Sequence, residues 1–86
     1  MKKIIGIDRP FDMIKQFIVY EDGQEIGVCA ASPEDRIEVL FELIKKYDVQ
    51  QVDLVGPKTY LKGIKEQIET ANVSKYEFKN LEINII

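Results

Sequence analysis

Apolar and polar positions divide this chain into seven segments. Lys3-Ile4-Ile5-Gly6-Ile7 is apolar at successive positions, which predicts a central strand covered on both faces. Asp8-Arg9-Pro10-Phe11-Asp12 interrupts it. Met13 to Tyr20 and Gln24 to Ala31 read as two further strands. The Asp22-Gly23 pair between them predicts a tight hairpin, because both residues tolerate positive φ. The third strand is rich in small residues (Gly27, Ala30, Ala31), as suits an edge.

A helical period follows. Ile37, Leu40, Phe41, Ile44 and Tyr47 recur on one face, widened by Val39 and Leu43. Ser32-Pro33-Glu34-Asp35 reads as its start, with Ser32 as N-cap and Pro33 in the first helical position. Gln51-Val52-Asp53-Leu54-Val55 is a fourth strand, stopped by Gly56-Pro57. In a second helix Leu61, Ile64, Ile68 and Ala71 share a face, Thr59 is a candidate N-cap and Asn72 ends the run. Gly63 costs about 1 kcal/mol relative to Ala inside a helix, which places it at a close approach to the sheet. Tyr76 to Ile86 reads as a last strand, with a bulge or turn near Lys79-Asn80 where the alternation changes phase.

The order is therefore β-β-β-α-β-α-β. Hairpins make the first three strands an antiparallel meander, and each helix crosses over to a parallel neighbour. With the apolar first and fourth strands central, the sheet order is 3-2-1-4-5. Right-handed crossovers stepping in one direction place both helices on one face, and the other face is left bare. At 86 residues, the α/β fold is a single domain over residues 1–86.

Composition narrows the chemistry. A net charge of -3 weighs against strong electrostatic binding of nucleic acid, which needs a clustered basic surface. Lys58, Lys62 and Lys65 read as a solvated helix face. The absence of histidine removes the commonest general base and metal ligand. Cys29, the single cysteine, allows no internal disulfide and reads as a small buried hydrophobe. Asp53 fits either a functional acid or, with more support, an exposed or salt-bridged position. Tyr60 and Tyr76 fit base stacking or, better, the rim of the core. No apolar run approaches the ~20 residues of a membrane span. The apolar run after Met1-Lys2-Lys3 is too short for a signal-peptide core, so a cytoplasmic location is expected.

Strand order and local residues together resemble the ribonuclease H-like fold. Arg36-Ile37-Glu38-Val39 looks like the segment of ribonuclease HI that carries a metal-binding glutamate. Gly56-Pro57-Lys58-Thr59-Tyr60-Leu61-Lys62-Gly63-Ile64 looks like that family's strand end and helix. Asp8 occupies the place of its first catalytic aspartate. The resemblance implies a metal-dependent nuclease acting on RNA or an RNA–DNA hybrid, with Asp8 and Glu38 holding Mg²⁺ or Mn²⁺ and Asp12 as a substitute third carboxylate. Such chemistry needs several converging carboxylates. The family's third carboxylate falls where this chain has Gly56, and the family's final helix has no counterpart. Actin-like ATPases share Ile5-Gly6-Ile7-Asp8 and Leu54-Val55-Gly56, but Arg9-Pro10-Phe11 supplies no phosphate loop.

The leading expectation is thus a non-catalytic binding or assembly module without a cofactor, forming a homodimer or holding a protein partner through the helix-free face. If Asp8 and Glu38 point toward each other, strand alternation puts Ile4 and Gly6 under the helices and Ile5 and Ile7 on that bare face, with one register of Phe17/Val19 or Ile18/Tyr20 beside them. The interface set is Ile5, Ile7, Phe17 and Val19.

Overall fold

In the computed structural model, residues 1–9 and 14–86 are described, without the side chains of residues 8, 9, 14 and 15. The elements are β1 (Lys2–Arg9), β2 (Ile14–Glu21), β3 (Gln24–Ala30), α1 (Arg36–Tyr47), β4 (Gln51–Val55), α2 (Lys58–Ala71) and β5 (Glu82–Ile85). A π-helical turn, Asn72–Tyr76, follows α2. They form one mixed sheet in the order β3-β2-β1-β4-β5. β1 runs antiparallel to β2 and parallel to β4, and β4 runs parallel to β5. This is the expected topology.

The hairpin turns where positive φ is easiest: φ is 51° at Asp22 and 85° at Gly23. The Asp22 carboxylate also receives the N-terminal ammonium at 2.6 Å, tying the start of β1 to the hairpin. α1 ends in a left-handed Asp48 (φ 56°), whose N–H bonds the Ile44 carbonyl.

Both helices cover one face of the sheet. Leu40, Phe41 and Ile44 of α1 and Leu61, Ile64 and Ile68 of α2 share a core with Ile4, Phe17, Val19, Val52, Leu54 and Ile83. The strand partners form two rows across the sheet. One is Gly27–Val19–Ile4–Val52–Ile83, the other Cys29–Phe17–Gly6–Leu54–Ile85. Two glycines in these rows make room for large neighbours. A Cβ on Gly6 would lie 3.1 Å from both Leu54 Cδ2 and Phe17 Cε1, and one on Gly27 would lie 2.6 Å from the Tyr47 hydroxyl. Cys29 is half-buried, at the covered end of its row.

Four local expectations are corrected. Ser32 does not cap α1: its carbonyl accepts from Asp35 N–H, its hydroxyl donates to the Asp35 carboxylate at 3.0 Å, and residues 33–35 form a turn before the helix. α2 begins at Lys58 behind Pro57, so Thr59 lies inside it. Gly63 is exposed, with no atom within 4 Å of the place a Cβ would take, so no close approach to the sheet explains it. Residues 76–81 are not strand. Tyr76 and Phe78 stack on Phe41, at 4.0 and 6.0 Å between ring centroids, and burying these rings outweighs the alternation of the sequence. Asn72 holds this segment by donating to the Phe78 carbonyl (2.9 Å) and accepting its N–H (2.8 Å). β5 then needs only Glu82–Ile85 to pair with β4.

Candidate functional site

The carboxylates singled out from the sequence are only partly visible. Asp8 lies in β1 by its backbone, its partner on β2 being Lys15, but its side chain is outside the described residues, as is all of Asp12. Glu38 is exposed in the first turn of α1. Among the described residues, no group of three or more His, Cys, Asp or Glu side chains could hold a metal ion. Nearby, Arg36 donates to the Tyr60 hydroxyl at 2.7 Å, joining α1 to the first turn of α2. The apolar cleft beneath, between Gly6, Ile37, Leu40 and Ile64, has a cavity volume of about 10 Å³, room for about one water. Tyr76 is stacked in the core rim and Tyr60 is engaged by Arg36, so both tyrosines serve packing.

The helix-free face offers more. Its side chains form three rows, read from the same strand register. The middle row is Val28–Ile18–Ile5–Asp53–Asn84. On one side lies Glu25–Tyr20–Lys3–Gln51–Glu82, reached across a bulge in β3 that leaves Ile26 (39 % exposed) without a partner on β2, and on the other Ala30–Gln16–Ile7–Val55. Ile5, Ile7, Ile18 and Val55 are half-buried, and Val28 is 54 % exposed. Among the described residues none of them belongs to the core cluster, although Ile7 also borders the apolar cleft under the helices.

This register corrects the interface set. Ile5 and Ile7 do lie on the helix-free face, but Phe17 and Val19 do not. Val19 pairs with Ile4 and Phe17 with Gly6, and at 0 % and 8 % exposure both are core residues. Ile18 and Tyr20 take their place. A one-residue shift moves a strand's entire apolar set to the other face, and both alternating sets of β2 are apolar enough for either side. Nothing in the alternation of β2 separates the two registers; the room that Gly6 leaves for Phe17 appears only once the two strands are paired.

The face changes character between β1 and β4. On the β4 side Asp53 is only 5 % exposed although no helix covers it. Its carboxylate accepts from Gln51 Nε2 (3.0 and 3.3 Å) and Asn84 Nδ2 (3.1 Å), and Lys3 Nζ lies 3.6 Å away. Burial pushes its pKa up, but the two amides and the ammonium outweigh that, and the carboxyl sits below its ordinary 3.8. Asp53 is thus a salt-bridged position, and its partners sit next to it in register. On the β3 side, Val28, Ile18 and Ile5 have no such polar network.

No helix of the described residues is long and apolar enough to cross a membrane. No protein-family model, curated protein or solved structure matches the chain.

Proposed function

We propose that this chain is a non-catalytic binding or assembly module on a minimal ribonuclease H-like core, associating through the helix-free face of its sheet. The observation that carries the reading is the apolar run Val28–Ile18–Ile5 across three adjacent strands, continued by Ile7 and Val55 and covered by neither helix. An apolar patch that runs unbroken across adjacent strands is a candidate interaction surface. The nuclease reading on Asp8, Glu38 and Asp12 draws no support from the described residues and stays an expectation of the sequence.

Sedimentation at micromolar concentration, with a capture from lysate alongside, tests the proposal when both are repeated on Ile5→Lys. Association or capture that disappears in the variant supports it. A wild-type protein that stays monomeric up to about 1 mM and captures nothing in an Ile5-dependent way overturns it. Circular dichroism of the variant separates loss of the surface from loss of the fold.

A further inference from the structure

Resting on that reading, the geometry points to a second copy of this chain as the occupant of the face, in a weak two-fold dimer whose axis runs along β2. The argument is one of self-complementarity. Two sheet faces can oppose each other about a two-fold axis lying between them, either along the strands or across them. An axis across the strands sets each strand on its own equivalent, so β4 lies over β4 and the charged Asp53 network is taken out of water; when the axis passes through the middle row, Asp53 meets the Asp53 of the other copy. Two like charges buried together are costly unless neutralised.

An axis along β2 reverses the order of the strands instead. Ile18 then meets Ile18 of the second copy, and Ile5 and Val28 exchange places, so the three apolar residues of one row cover the three apolar residues of the other. In the neighbouring row, Glu25–Tyr20–Lys3, the same reversal sets Tyr20 on Tyr20 and Lys3 opposite Glu25 of the second copy, twice over. Lys3 keeps 43 % of its side chain exposed beside Asp53, and Glu25 is exposed, so both can reach across. The Asp53 network overhangs the edge of the partner sheet and stays hydrated, with its hydrogen bonds met within its own chain.

The overlap is small. Three strands ~4.8 Å apart and ~23 Å long offer ~330 Å² of flat surface per copy. Two copies therefore bury well under the area of a standard stable interface, and the dimer belongs to the weak, concentration-dependent class.

Sedimentation equilibrium from about 10 μM to about 1 mM, a range that spans weak association, reads the mass. The expected result is a shift from 10.0 kDa toward twice that mass. Ile18→Lys and Glu25→Lys should each weaken the dimer about tenfold or more, since each sets like charge on like charge or charge on an apolar surface. Intermolecular methyl contacts in a half-labelled sample should join Ile5 to Val28 and Ile18 to Ile18, and none should involve Ile4 or Val52. A monomer up to about 1 mM overturns the second copy. In that case Ile5-dependent capture of another partner leaves the face reading standing, and its loss removes both. A dimer indifferent to Ile18→Lys, or one with contacts only from the helices or the outer edge of β3, overturns the arrangement, and Ile5-dependent capture then decides the face by itself.

Discussion

The two faces of the sheet are built from the same five strands, one residue out of phase, and keep water away by different means. On the covered face the two central rows are apolar, and the helices close them. Gly27–Val19–Ile4–Val52–Ile83 has Tyr47 laid over its glycine. On the helix-free face a carboxylate is nearly as inaccessible as the core, yet no second layer lies above it. Asp53 is shielded by its lateral neighbours Lys3, Gln51 and Asn84, whose polar ends also satisfy it. Burial by packing removes side chains from water through the hydrophobic effect. Burial by lateral pairing can hide a charge only because it meets that charge's hydrogen-bonding needs. The apolar half beside it has neither device, and association would supply one.

The sharpest test of this contrast is a pair of truncations. Ile4→Ala, at a fully buried site under the helices, should cost about 2–5 kcal/mol. Ile5→Ala, its neighbour on the opposite face, should cost less than about 1.5 kcal/mol when measured in dilute solution, because there is no enclosed space to leave empty. Urea denaturation of the two variants decides. Equal losses would mean that the face called helix-free is in fact packed.

Gly6 and Asp53 probe the two devices directly. Gly6→Ala pushes a methyl to 3.1 Å from Leu54 and Phe17 and should destabilise by about 1–3 kcal/mol through overpacking. Asp53→Ala leaves the amides of Gln51 and Asn84 without their acceptor and should cost about 1–3 kcal/mol. Chemical denaturation measures both, and a neutral Asp53→Ala would reduce the lateral network to ornament.

Acid should expose the same network. A carboxyl whose folded pKa is depressed stabilises the native state above its unfolded value, about 3.8, and loses that contribution as pH falls through the lower folded value. The stability difference between wild type and Asp53→Asn should therefore be constant near neutrality and shrink below that pH. Denaturation curves at several pH values read it, and a difference that grows on acidification would contradict the assigned direction.

The smallest effect lies away from both faces and carries the opposite sign. Gly63 is exposed in mid-helix with open space around it, so Gly63→Ala should stabilise by up to about 1 kcal/mol. A thermal melt suffices, and a loss of stability would mean that the glycine is constrained in a way its surroundings do not reveal.

Reading the chain alone placed the seven main elements, the Asp22-Gly23 hairpin, the sheet order and the shared side of the two helices. These follow from periodicity and connection rules that act over a few residues at a time. Its largest error came where a decision depended on distant partners, and a smaller one was local. Tyr76 and Phe78 alternate like strand residues, but Phe41 draws them into a stack. Ser32 has the chemistry of a cap, but the chain spends three more residues in a turn before α1.

The candidate surface shows the same division. β1 is apolar on both faces, so Ile5 and Ile7 go to the helix-free side only if Asp8 is turned toward Glu38, and the folded sheet does place them there. The choice between Phe17/Val19 and Ile18/Tyr20 rested on which register brings Phe17 against Gly6, a pairing that only the folded sheet supplies. Local pattern, then, determined which segments are helix or strand and how they connect, because turn chemistry and hydrophobic period are properties of neighbours in sequence. Tertiary structure decided which side of each strand meets the core and how Asp53 is satisfied, because those depend on residues brought together only when the sheet closes.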